Sequence, residues 1–332
     1  MRPLLVAATL TALAACGGSS PTDPSSPQAQ PGLRGQTVSA VDGAPSPNLS
    51  VLVGSRRATS DANGFFDLDI SPGAHRATVR GSAVVERETT LISSGADRAR
   101  VSLIPGGFDL AAFDEMFRKS NERLQRWTTR PGLVVLGSVM RYRSTTGSEY
   151  EAEAEQLSEE EVSEMIAHLT EGLAILTGNT FTSFASVEVE RPAAGTRVDT
   201  LRANRIVAGR YNGIVTFART IGYGQWSETS TGAIVEGALY LDRDFDSNDG
   251  RRRLLRIHEL GHALGYQHVT ARVSIMNPSL GPDVTDFDRH GAVIAFQRPV
   301  GNRAPDIDPA STAQTSSIDV GGAIRMPPIF CR

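Results

Sequence analysis

From Leu33 to about Ile104 apolar and polar positions alternate with period two, and the alternation is broken by the turn clusters VDGAPSPN, SDANG, SPGA and SSGAD. A period of two sends successive side chains to opposite faces of an extended chain, so these breaks leave up to seven short strands. They include LRGQTVSA, LSVLVG, GFFDLDI, HRATVRG and RARVSLI, and such spacing predicts a small all-β sandwich. After Ile104 the pattern changes. Phe113, Met116 and Phe117 fall at helical spacing within DLAAFDEMFRKSNERLQRW, and LVVLGSV at 133–139 reads as a strand. Ser158 with Glu161 forms a capping box ahead of an apolar stripe of Val162, Met165, Ile166, Leu169, Leu173 and Leu176, which stops at Gly178. Strand-like segments follow at 184–190 (FASVEVE), 213–220 (GIVTFART), 220–228 (TIGYGQWSE) and 232–242 (GAIVEGALYLD). The fold class predicted is therefore α+β, a twisted mixed sheet with helices over 105–299 preceded by an all-β unit over 33–104.

The first residues carry a different signal. Arg2 precedes PLLVAATLTALAA, an apolar run too short to span a bilayer but suited to a secretory h-region. It ends in LAAC at 13–16, which resembles the lipobox of bacterial lipoproteins. That resemblance implies a signal peptide over 1–16, cleavage before Cys16 and a lipid anchor on that cysteine. The stretch 17–32, GGSSPTDPSSPQAQPG, holds almost no large apolar side chain and reads as a flexible linker from the membrane. Gly17 is not the aspartate that retains lipoproteins at an inner membrane, so the cell envelope is the expected address, with the outer membrane or cell surface favoured.

Composition adds limits. The 332 residues, 40% apolar and 21% charged, suit a soluble chain of roughly two domains. A formal net charge of −4 argues against a nucleic-acid partner. Cys16 and Cys331 are the only cysteines, so no disulfide framework is expected and stability must come from packing. The region 300–332, polar and glycine-rich, reads as a loosely ordered tail. Eight glutamates between Glu149 and Glu164 read as a solvated loop and helix face. In LDRDFDSNDG, 241–250, the alternation of Asp242, Asp244, Asp246 and Asn248 hints at Ca²⁺, but Asp249 stands where an EF-hand loop needs glycine. A capped loop leading into a helix is the preferred reading. His75 lies in a strand without a second ligand nearby, His168 falls off the apolar stripe of its helix, and His290, between Asp288 and Gly291, reads as a surface histidine, so none of the three is expected to bind metal.

The segment RIHELGHALGYQH, 256–268, holds three of the six histidines. On a helix His258 and His262 are i and i+4, so both imidazoles leave one face about one turn apart and can share one metal ion. Glu259 projects about 100° further round, close enough to reach a water on that ion without being a ligand. Gly265 can take a left-handed conformation that stops the helix and returns His268 as third ligand. Three neutral histidines with one open position form the tetrahedral site of a catalytic Zn²⁺. With 6 His and 32 Gly in the chain, chance would produce this pattern in about one such sequence in a hundred thousand.

The pattern H-E-x-x-H-x-x-G-x-x-H resembles the zinc-binding consensus of the metzincin metalloproteases, and SIMNP at 274–278 resembles their Met-turn. The short interval from His268 to Met276, with no tyrosine just after the methionine, is most similar to the matrixins. VTDFDRHGAVIAF, 284–296, resembles the matrixin C-terminal helix with Asp288 and Gly291 in place, while Phe287 stands where an aspartate is usual. The 33–104 unit resembles carboxypeptidase-regulatory-like modules through Gly35 to Val38, TSDANGFFDL at 59–68 and PGAHRATV at 72–79. These resemblances imply a zinc endopeptidase acting on extracytoplasmic proteins or peptides: His258, His262 and His268 hold one Zn²⁺, Glu259 activates its water, and Met276 floors the site without binding metal. They also imply that 220–228, with Gly222, Tyr223 and Gly224, is the edge strand along which substrate lies, its glycines admitting the substrate backbone. No cysteine stands between Cys16 and Cys331, so silencing by a propeptide cysteine is not expected. The alternative functions are a surface-anchored binding protein or adhesin using the sandwich, and a zinc hydrolase acting on a non-peptide bond. Glu259 weighs against the first, because binding alone needs no general base.

Overall fold

The computed structural model describes residues 32–94, 98–142, 150–215, 220–310 and 322–331. The expected signal peptide, Cys16 and the linker up to Pro31 lie outside these residues. From Pro31 onward the chain forms one compact unit. Its first strands are β1 (Leu33–Ser39), β2 (Ser50–Val53), β3 (Arg56–Thr59), β4 (Phe65–Leu68), β5 (Gly73–Arg80), β6 (Arg87–Ser93) and β7 (Arg98–Leu103). They build two sheets, β4-β1-β7 and β3-β2-β5-β6, in which β1 runs parallel to β7 and every other pair is antiparallel. Alternate side chains from both sheets, among them Leu33, Val51, Phe66, Val79, Leu91 and Leu103, bury in one apolar cluster. That is what the period-two pattern requires. The ANG turn before β4 needs its glycine: Gly64 has φ of +77°, and a Cβ there would lie 2.3 Å from the Thr37 carbonyl oxygen.

Beyond them come α1 (Leu110–Phe117), β8 (Arg126–Trp127), β9 (Gly132–Leu136), β10 (Ser138–Tyr142), β11 (Tyr150–Gln156), α2 (Glu159–Leu176), β12 (Val187–Glu190), β13 (Arg197–Val198), β14 (Arg205–Asn212), β15 (Gly222–Glu228) and β16 (Ala233–Asp242). Then follow α3 (Arg243–Asn248), α4 (Arg252–Ala263), α5 (Asp286–Gln297), β17 (Ile324–Arg325) and β18 (Ile329–Cys331). The strands form one mixed sheet whose main path is β13-β11-β10-β14-β16-β15-β17. The class is α+β, as the hydrophobic pattern predicts. Ser158 and Glu161 make both bonds of the capping box, and the α2 stripe of Val162, Met165, Leu169, Leu173 and Leu176 is buried. Together with α4 that stripe covers one face of the sheet in the larger core. Tyr150, Tyr211, Tyr223 and Tyr240 pack on the other face.

Three boundaries differ from the sequence expectation. LVVLGSV is two strands broken at Gly137, because β9 pairs with β12 and β14 while β10 pairs with β11 and β14. Of the strand expected at 213–220, residues 216–219 lie outside the described residues; the extended segment before it is β14, which the chain leaves at Gly213 with φ of +88°. The tail is packed around residues 302–308, where a loose segment is expected. Asn302, Asp306 and Asp308 are buried, and Asp306 binds Arg298 through two bonds of 2.7 and 2.8 Å with neither side chain exposed. Asp308 holds Arg87 of β6 at 2.9 Å, and the Asn302 carbonyl accepts from Leu124 N–H. Buried charge partners spread over three distant stretches leave no local periodicity to read.

Candidate metal centre

Helix α4 places His258 and His262 on one buried face. After it, Gly265 takes φ of +96°, its N–H bonds the His262 carbonyl, and the chain doubles back to deliver His268. The three Nε2 atoms form a nearly equilateral triangle with sides of 3.1, 3.2 and 3.2 Å. His258 Nδ1 donates to the Ile275 carbonyl and His262 Nδ1 to the Tyr266 carbonyl, each at 2.7 Å. Because those partners only accept, the ring proton sits on Nδ1 and both Nε2 lone pairs point inward. Facing lone pairs cannot satisfy one another. Burial also depresses the basicity of all three rings, His258 to about 3 and His268 to about 4, with the neighbouring imidazoles lowering His258 and His262 further and Lys119 lowering His268. A proton is thus a poor occupant of the triangle, and a metal cation is its natural complement; these three residues could hold one.

The three histidines are held from behind. Met276 is fully buried, and a Cβ on Gly261 would stand 2.5 Å from its sulfur, so the methionine packs against the helix between the two ligand turns. Asp288, buried on α5, accepts from Ile275 N–H at 3.1 Å, Thr285 N–H at 2.8 Å and the Ser274 hydroxyl. It thereby fixes the residue whose carbonyl orients His258. Phe287 stacks on Phe108 at 5.8 Å. The Tyr266 hydroxyl donates to the Leu176 carbonyl, tying the turn after α4 to the end of α2. Sequence reasoning missed Tyr266, although a polar-tipped aromatic between a glycine and the third histidine offers the signal.

Glu259 is fully buried, and among the described residues neither carboxylate oxygen has a hydrogen-bond partner. Burial alone pushes its carboxyl well above the usual range. Strand β15 runs directly over it. A Cβ on Gly222 would come within 2.7 Å of Glu259 Oε1, and one on Gly224 within 2.3 Å of His262 Cβ and 2.8 Å of the Glu259 carbonyl oxygen. These glycines therefore let the strand press against α4; the sequence expectation gave them to the substrate backbone. Tyr223 points to the other face, stacked on Tyr240 at 4.2 Å. The outer edge of β15 carries residues of the same chain: Gly222, Tyr223 and Gly224 pair antiparallel with Cys331, Phe330 and Ile329, and Ser227 and Glu228 with Arg325 and Ile324.

Cys331 is fully buried, and its sulfur forms a second group with His258 and Glu259 whose ligand atoms lie within 4.8 Å of one another. Burial and then the Glu259 charge raise its thiol, opposed by the Leu280 N–H. The other candidates are not gathered here. His75 bonds the Ser71 carbonyl, His168 meets the Arg256 guanidinium at 3.0 Å, and His290 is half-buried on α5. Of the aspartates at 241–250, Asp242 caps α3, Asp244 pairs with Arg243, and Asp246 is buried between Arg210 and Arg256. They do not converge on a common point. In the acidic run, Glu151, Glu155, Glu159, Glu161 and Glu164 each pair with an arginine, and Glu155, Glu159 and Glu160 are exposed, so the described part is a solvated face laced with ion pairs. Among the described residues no helix is long and apolar enough to cross a membrane. Neither a protein-family profile nor a curated protein matches the chain.

Proposed function

We propose that the protein is a zinc-dependent endopeptidase of metzincin type, with His258, His262 and His268 as metal ligands and Glu259 as general base. One observation carries this reading: three converging imidazole Nε2 atoms, two of them with lone pairs fixed inward, stand beside a buried carboxylate that has no hydrogen-bond partner among the described residues. On a tetrahedral zinc with bonds of about 2.0–2.1 Å, two imidazole nitrogens stand about 3.3 Å apart. The triangle's sides of 3.1 to 3.2 Å fit that donor set closely. A bound zinc would supply Lewis acidity, polarising a peptide carbonyl and making water acidic near neutral pH.

The chain's own residues do the rest. Glu259 takes a proton at its carboxylate from the attacking water and passes it to the leaving amine, so one group serves as base and then acid. Its burial keeps it basic enough for both transfers. Strand β15 supplies main-chain partners for an extended polypeptide, and its pairing with the 329–331 strand supports a peptide over a compact small molecule as substrate. The two N-terminal sheets, read as a sandwich, would space this site from an envelope membrane to which Cys16 anchors the chain. An adhesin reading leaves the unpartnered Glu259 without a purpose.

The test is cleavage of a mixture of denatured proteins, with new N-termini read by mass spectrometry. Zinc-loaded protein should generate them, whereas chelated protein and zinc-loaded Glu259→Gln should not. Equal cleavage by Glu259→Gln would remove the proposed base.

A further inference from the structure

Sheet β3-β2-β5-β6 buries one face in the N-terminal apolar cluster and turns the other outward, where a groove of about 480 Å³ lies over it. The period-two alternation decides what lines that groove. Val51 of β2 and Val79 of β5 point into the cluster, so their neighbours Ser50 and Arg80 point away from it. Ladder register then sets which side chains meet. Ser50 stands opposite Thr59 on β3 and opposite Arg80 on β5, while Arg57 stands opposite Leu52, two residues along the same face. Ser50 therefore lies on the floor of the groove with an arginine to either side, and Asn48 and Glu86 also border it.

Three polar groups here lack partners. Among the described residues neither Arg57 nor Arg80 makes an ion pair or a side-chain hydrogen bond, although Glu86 borders the same groove. Arg76, on the same face of β5, is by contrast held by Glu88 at 3.1 Å. Ser50 is only 8% exposed, and its Oγ has no hydrogen-bond partner among the described residues. A buried hydroxyl left unpaired is costly, and a ligand oxygen seated over the floor would supply the missing bond. Two free guanidiniums flanking that floor suit a carboxylate or a phosphate. The rest of the lining narrows the ligand. Asn48, Thr59 and Glu86 offer hydrogen bonds to hydroxyl groups, Glu86 as an acceptor that a bare anion cannot use. No aromatic or large aliphatic side chain lines the groove, so a neutral sugar finds no ring to stack on. Main-chain capture of a peptide is blocked as well, because β3 and β5 take both edges of β2.

We infer that this groove binds an anionic glycan, whose carboxylate or phosphate bridges Arg57 and Arg80 while its ring hydroxyls meet Ser50, Asn48, Thr59 and Glu86. The Glu86 carboxylate repels a second anion close by, so the ligand that fits best carries its charges apart along a hydroxyl-rich chain. The N-terminal sheets then do more than space the metal centre: they hold it on an acidic polysaccharide. Nothing in this inference depends on the metal site or on peptide cleavage.

Calorimetric titration of the full chain with oligogalacturonate, a carboxylated glycan, and with phosphomannan, a phosphorylated one, tests the inference and tells the two anions apart. Neutral dextran oligomers and poly-glutamate are the comparisons. At least one charged glycan should bind, more tightly than poly-glutamate, and dextran should not bind. Binding should weaken as salt rises from about 0.05 to about 0.5 M. Arg57 and Arg80 are exposed, so Arg57→Gln and Arg80→Gln leave the core intact; each should weaken binding about tenfold or more, and Ser50→Ala about two- to tenfold. Arg56→Gln is the control, because Arg56 stands opposite the inward-facing Val53 and should leave affinity unchanged. Failure of both charged glycans to bind, or binding that survives the loss of both arginines, would overturn the inference. Dextran or poly-glutamate bound as tightly as the charged glycans would overturn it too, the first by removing the need for charge and the second by removing the need for hydroxyls.

Discussion

Replacing Gly224 by alanine tests how β15 and helix α4 depend on each other. The added Cβ would lie 2.3 Å from His262 Cβ and 2.8 Å from the Glu259 carbonyl oxygen, both parts of α4 with little freedom to yield. Ordinary carbon–carbon contact needs about 3.5–4.0 Å, so β15 and α4 must part by more than about 1 Å. Overpacking of this kind costs about 1–3 kcal/mol, against a gain of roughly 0.5–1 kcal/mol from removing a strand glycine. A net loss of about 1–2 kcal/mol lowers the melting temperature by about 2–8 °C for a chain of this size. Moving His262 also deforms the ligand triangle, and a loss of about 10–100-fold in metal affinity is expected, the range seen when supports of metal ligands are removed. Thermal unfolding of the metal-free protein and chelator competition for zinc measure the two effects separately. Gly250→Ala is the control, since a Cβ there meets nothing within 4 Å. Wild-type stability and zinc affinity in Gly224→Ala would refute the packing argument, as would equal damage from Gly250→Ala.

Further outcomes follow from the same geometry. Asp306→Ala leaves the Arg298 guanidinium buried and unpaired, which should cost about 3–5 kcal/mol in denaturant unfolding. Asp288→Ala frees the Ile275 N–H and the Ser274 hydroxyl, loosening the carbonyl that orients His258; zinc affinity should fall about 10–100-fold in chelator competition with the fold retained by circular dichroism. The metal-free protein should also depend on pH. His258 and His268 fall to about 3 and about 4, so below the unfolded value of about 6.5 the unfolded chain binds more protons than the folded one. Their contribution is complete above about 6.5 and is lost as the pH falls toward those folded values, by up to about 1.4 kcal/mol per pH unit for each histidine. Unfolding titrations of chelated protein should show this slope and the zinc-loaded protein should show less of it; a flat profile in chelated protein would contradict the burial of these rings.

How far the chain could be read in advance depended on how local each determinant was. The capping box of Ser158 and Glu161, the α2 stripe and the i, i+4 histidines are written within a few turns of helix, and the fold follows them. Gly265 could be assigned its left-handed role because a single residue must reverse the chain before His268. What could not be read was long-range pairing. Cys331 lies 73 positions from His258, and only the register of β18 on β15 brings them together. Gly222 and Gly224 look from sequence like room for a ligand, yet their missing side chains make room for α4. Asp306 reads from sequence as part of a polar tail, because charge alone does not disclose its partner, the buried Arg298.

The cleavage rate of a fluorogenic peptide pool, measured as zinc per chain is titrated from none upward, tests a metal-dependent peptidase most directly. For wild type the rate should rise in proportion to zinc and level off at about one per chain. Glu259→Gln should bind the same zinc and stay at background throughout. Cleavage that is independent of zinc, or that Glu259→Gln retains at full zinc loading, would contradict a metal-dependent peptidase built on His258, Glu259, His262 and His268.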